Sequence, residues 1–268
     1  MTWNVKPAFC LAVAGSLLFA ASCNPASQKS GEQSQDSSSA STASAALEEG
    51  FVRIFDGKSL SGWEGDTSLW RAEDGSLVGE IKPGNSLKTN SFIVWQGGTP
   101  ADFELIAEFR ISEKGNSGIN YRSEMLEDIP HALRGYQADI DGASRYTGQN
   151  YEERKRTTLA YRGQQVTIPS TEGEIREHVK SNAWTPAEVT AELGTDDSLK
   201  AHIKTGDWNE IRIVANGNRL QHYVNGVLMS DVTDNDTVNG AASGYLGVQV
   251  HVGPPMKVEY RNIRLKEL

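Results

Sequence analysis

The chain has 268 residues and two cysteines, Cys10 and Cys23, both within the first 23 positions. No disulfide and no cysteine-held metal site is therefore expected in the remainder. It also has no long basic run, and its net charge is −9, which argues against a nucleic-acid partner. Strands do not alternate with helices and there is no internal repeat, so doubly wound and solenoid folds are excluded. A single apolar stretch stands out, Phe9 to Ala21, too short to span a bilayer as a mature helix.

With Lys6 before it, that stretch has the form of an export signal. It ends in Leu18-Phe19-Ala20-Ala21-Ser22-Cys23, which resembles a bacterial lipoprotein lipobox and would make Cys23 the acylated first residue. Ala20 stands where a leucine is commoner, and an ordinary secretory signal is the alternative. Residues 24–49 are rich in Ser, Ala, Gln and Thr and lack apolar periodicity, the composition of a flexible tether. The expected organisation is a signal peptide over 1–23, a linker over 24–49 and one domain over 50–268. A lipid anchor at Cys23 would hold that domain at the bacterial cell envelope, on the periplasmic or extracellular face.

The domain reads as about a dozen short strands separated by turn signals. Phe103, Leu105, Ala107, Phe109 and Ile111 share one face of a long strand. Asp74-Gly75 and Asn225-Gly226 are hairpin turns. Thr157–Arg162 and Gln165–Ile168 read as a hairpin around Gly163. Residues 174–179 and 187–193 have helical character and suggest two short surface helices. The fold class is all-β: an antiparallel two-sheet jelly-roll sandwich with a small helical insertion.

Three strands carry unusual outer faces. Gly135–Asp141 turns Tyr136, Ala138 and Ile140 one way and Gln137, Asp139 and Asp141 the other. In Asn116–Arg122, Ile119 and Tyr121 oppose Asn120 and Arg122. In Gly244–Val252, Leu246, Val248, Val250 and Val252 form the buried face, leaving Tyr245, Gly247, Gln249 and His251 outside. Amides, carboxylates, a guanidinium and an imidazole, with Gly247 leaving room, suit the hydroxyls of a sugar in a shared groove. The mixture lacks the clustered ligands of a catalytic transition metal, and no cofactor is implied. Asp139 and Asp141 lie about 6.5–7 Å apart along one strand face, which fits both retaining and inverting glycosidase geometries. Tyr151-Glu152-Glu153 reads as a charged loop offering a further acid, base or contact, with a solvated charge run as the alternative.

These residues carry a family resemblance. Phe55-Asp56-Gly57-Lys58-Ser59-Leu60-Ser61-Gly62-Trp63 resembles the opening signature of the 3-keto-disaccharide hydrolase domain. Asn116-Ser117-Gly118-Ile119, Arg122, Gly135-Tyr136-Gln137, Trp208-Asn209-Glu210, Asn225-Gly226, Gly247–His251 and Arg261-Asn262-Ile263 follow in the family's order. The resemblance implies a concanavalin A-like jelly roll that cleaves glycosides whose sugar has been oxidised to a 3-ketone. Many members carry Glu at the place of Gln137, so acid or base work would pass here to Asp139 or Asp141. On this basis Asp139, Asp141 and His251 are the expected catalytic residues: Asp139 as base, His251 or Asp141 as proton donor. Asn120, Arg122, Gln137, Gln249, Tyr151 and Glu152 are expected to bind substrate. An endo-glucanase-like hydrolase and a non-catalytic carbohydrate-binding module remain the alternatives.

Overall fold

Alternating strands each have one apolar face to hide, and here two sheets hide theirs against each other. The computed structural model describes residues 47–268; the expected signal segment, Cys23 and nearly all of the expected linker lie outside the described residues. In chain order the strands are β1 (Val52–Arg53), β2 (Trp63–Gly65), β3 (Trp70–Glu73), β4 (Ser76–Ile81), β5 (Ser91–Trp95), β6 (Phe103–Ile111), β7 (Asn116–Met125), β8 (Leu133–Asp141), β9 (Asn150–Glu153) and β10 (Thr157–Ala160). They continue as β11 (Gln164–Ile168), β12 (Val179–Lys180), β13 (Ala183–Trp184), β14 (Glu188–Glu192), β15 (Asn209–Asn216), β16 (Arg219–Val224), β17 (Val227–Asp234), β18 (Tyr245–Val250) and β19 (Met256–Glu267). Two short helices join them, α1 (Ile175–His178) and α2 (Asp196–Lys200).

One sheet runs β14-β11-β17-β16-β15-β6-β19-β4-β3, with β1 on β19; the other runs β12-β13-β10-β9-β8-β7-β18-β5-β2. The core between them takes the inward residues of β6, β7, β8, β15 and β18, as the alternation predicts. Pairing is antiparallel except for β10 with β13 and β11 with β17. The all-β sandwich is as expected.

Four local readings differ. Residues 188–192 form edge strand β14 on β11 rather than a helix, while the second helix lies further on, at 196–200. Thr157–Ala160 and Gln164–Ile168 belong to different sheets, so the turn at Gly163 is a crossover between layers and not a hairpin. Residues 150–153 are a strand pairing β8 and not a loop. Val252 lies past the end of β18 and is exposed, not buried.

Candidate active site

The site lies on the outer face of the β9-β8-β7-β18 sheet. In β8, Tyr136, Ala138 and Ile140 enter the core, so Gln137 and Asp139 face outward. Register sets Tyr151 of β9 opposite Gln137, and Gly118 of β7 opposite Asp139. Gly118 makes room: a Cβ there would come 2.6 Å from Cδ of Gln137. The outcome is a polar cavity of about 560 Å³, lined among others by Asn90, Asn116, Gln137, Asp139, Gln149, Tyr151, Glu153, Arg154 and His251.

Its floor is a chain of amides oriented by one carboxylate. Asp139 accepts from Nε2 of Gln137 at 2.6 Å and from Nε2 of Gln149 at 2.5 Å. With its amide nitrogen committed, Gln137 offers Oε1 to Nε2 of Gln249 at 3.1 Å. Burial pushes the Asp139 carboxyl up to about 7; the two amide donors oppose the rise, and negative charge on Glu153 and Asp141 adds to it. Burial also raises Glu153, against a 3.0 Å hydrogen bond from Asn90 and the positive charge of Arg154. Arg154 stands 3.6 Å from Glu153, and its Nε is buried without a hydrogen-bond partner.

His251 lines the same cavity. Its Nδ1 sits 2.6 Å from the carbonyl of Val252, which can only accept, so the proton is on Nδ1 and Nε2 is left for the groove. The Tyr151 hydroxyl donates to Asn182 at 3.3 Å. Burial, with Glu153 and Asp139 nearby, pushes that phenol up to about 12, so it stays protonated at neutral pH.

Gln149 is held from behind by the opposite sheet. The carbonyl of Gln149 accepts from Nδ1 of His222 on β16, and the His222 Nε2 then accepts from the Tyr121 hydroxyl at 2.9 Å. Burial lowers His222 to about 4, so it is neutral here and its tautomer is fixed.

Of the expected site residues, Asp139, Gln137, Tyr151 and His251 meet in the groove, and Gln249 supports the floor as a buried neighbour. The other four do not join it. The Asp141 carboxylate accepts from the backbone nitrogens of Arg145, Tyr146 and Thr147 at 2.8–3.0 Å, so it caps a turn and is not free to act as proton donor. Asn120 is wholly buried opposite Gly247, where Leu133 packs onto the strand, so substrate cannot reach it. A bulge after Tyr121 puts Arg122 at φ 45° and turns it off the groove face. There it donates to the carbonyls of Ala101 and Gly217 and pairs with Asp102 at 3.0 Å. Glu152 lies on the opposite face of β9, fully buried against Arg156 at 2.6 Å.

Asn90, Gln149 and Arg154 are functional candidates that the sequence did not single out, and Glu153, read there as part of a charged loop, stands in the groove on a strand. Glu153 had a usable signal, since Tyr151 and Glu153 alternate once 150–153 is read as a strand. Asn90 and Gln149 lie just outside strands, with nothing periodic to mark them.

The chain is 23% identical over 252 residues to a 3-keto-disaccharide hydrolase of Bacteroides thetaiotaomicron, covering 82% of this chain and 79% of that protein. Its fold is similar to the crystal structure of a candidate glycosyl hydrolase from Parabacteroides distasonis, with TM-score 0.52 and 20% identity over 83% of this chain and 98% of that one. The sequence model of the 3-keto-alpha-glucoside-1,2-lyase-like domain matches residues 50–266, and the chain belongs to that family.

Proposed function

We propose that this chain cleaves α-glucosides bearing a ketone at C3, by removing the C2 proton and eliminating the group at C1. The observation that carries the reading is Asp139: a carboxyl raised to about 7, in a sugar-sized polar groove, between two amide donors. A base of that strength matches a C–H made acidic by the neighbouring carbonyl. In the first step Asp139 takes the proton from C2, and the electron pair moves onto O3 as an enolate. The enolate then collapses, forming the C1–C2 double bond and breaking the bond from C1 to the leaving oxygen. His251, whose Nε2 is left for the groove, gives that oxygen its proton when the ring is charged. Water adding to C1, with a proton returned to C2, makes the net reaction a hydrolysis.

In the proposal the positive charge beside O3 comes from Arg154, which lines the groove next to Glu153. Gln137 and Gln149 would hold the Asp139 carboxylate in register with C2.

The test is turnover of an α-linked glucose disaccharide and its 3-keto form by the full chain and by Asp139→Asn. Release of free sugar from the keto form alone, falling about 10²–10⁴-fold in kcat/KM in the variant, is expected. Equal release from both sugars would indicate an ordinary glycosidase, and binding without release a carbohydrate-binding module. Unchanged turnover in Asp139→Asn removes that residue from the reaction.

A further inference from the structure

The groove does not end at Tyr146. A second cavity of about 420 Å³ begins there, sharing Asn116 and Tyr146 with the first and lined further by Glu113, Lys114, Asp141 and Arg145. We infer that this cavity receives the leaving group of the substrate as a second sugar ring, with Tyr146 as its platform. The inference rests on the proposal that the main groove is where the bond is cleaved.

The rim between the cavities is rigid. Asp141 spends its carboxylate on three backbone nitrogens of the 145–147 turn and on the Thr147 hydroxyl at 3.1 Å. The same turn is clamped to the preceding β6–β7 turn, since Gly142 donates to the carbonyl of Gly115 at 2.9 Å. The two backbones approach so closely that a Cβ on residue 142 would lie 2.0 Å from the Ser112 carbonyl oxygen. On this fixed turn a large aromatic is left 45% exposed, at the meeting point of two cavities. A buried acid that orders a turn presenting an exposed tyrosine is a positioning device, and it gives Asp141 a purpose other than proton transfer.

The chemistry of the lining selects the occupant. Two acids and two bases around an aromatic ring match a neutral ring with hydroxyls at its edge and C–H bonds on its face. A single-sign ligand would meet like charge on half the wall. Spacing agrees as well: Asp139 and Asp141 are two residues apart on one strand, about 6.5–7 Å, close to the width of one sugar ring. With C2 of the keto sugar at Asp139, the inference sets the group attached at C1 on the Tyr146 side, where the second cavity opens.

The experiment measures dissociation constants by calorimetry on the full chain carrying Asp139→Asn, the variant expected to turn over about 10²–10⁴-fold more slowly. The ligands are a 3-keto disaccharide and the 3-keto methyl glucoside, each with and without Tyr146→Ala. The disaccharide-to-methyl-glucoside affinity ratio should fall about tenfold in Tyr146→Ala, the upper range for an aromatic contact. Tyr146→Phe, which keeps the ring, should restore it. A ratio that moves less than twofold overturns the inference, as does failure of both sugars to bind. Cleavage is scored separately on the wild-type chain: a shifted ratio without sugar release refutes the proposed reaction but upholds the second-ring site.

Discussion

At the scale of single residues, the site turns on a competition over one carboxyl. Removing Asp139 from water favours its neutral form, while the amides of Gln137 and Gln149 favour the charged one. In the proposed reaction the balance near 7 suits the group to act as base, ionised in part at neutral pH yet still avid for a proton. Gln149 is the more telling position, since it reaches Asp139 with its side chain while its backbone is held by buried His222. Replacing Gln149 by Leu removes a donor to the charged form, so the Asp139 carboxyl should rise further. The acid limb of kcat/KM against pH, expected near 7 in the wild type, should move alkaline by about one unit. At pH 7 the variant should then be slower and at pH 9 close to the wild type. A limb that stays in place would mean that the titrating group is not Asp139.

At the scale of elements, long alternating strands were legible and short or interrupted ones were not. β6, β8 and β18 declare themselves because their inward residues are apolar at every second position. β9 hides because its inward residues are Asn150 and Glu152, polar groups that bond to the Tyr121 hydroxyl and to Arg156. β14 is rich in Glu and Ala, good helix formers, yet its backbone completes the edge beside β11, and pairing overrides propensity. Half of the candidate site followed from alternation alone. Of the misplaced residues, Arg122 depends on a bulge that no periodicity announces. Glycines separate what builds the strands from what tunes the site. In Gly118→Ala the new methyl meets Cγ, Cδ and Nε2 of Gln137, which can yield only by leaving Asp139, so activity should fall with a stability loss of about 1 kcal/mol. In Gly142→Ala it meets backbone, so the midpoint of urea unfolding should drop, corresponding to about 1–3 kcal/mol. Equal stability losses in both variants would remove the distinction.

At the scale of the whole molecule, polar posts run through the sandwich behind the groove. Arg156, fully buried at the β9–β10 turn, joins Glu152 of one sheet to Asp234 of the other, each at 2.6 Å, with Asp236 at 3.5 Å. Burial alone would lower the guanidinium's proton affinity, but Glu152 and Asp234 more than reverse that and hold it raised. The same turn carries Glu153 and Arg154 into the groove, so the cluster fixes the site as well as the layers. An exposed ion pair would be worth at most about 1 kcal/mol. Deleting the cation here strands buried carboxylates, so Arg156→Met should cost about 3–5 kcal/mol in denaturant unfolding at pH 7. The deficit arises from negative charge left uncompensated in the interior. Unfolding curves at pH 7 decide the matter: a loss of under about 1 kcal/mol would show that the posts do not hold the sheets together.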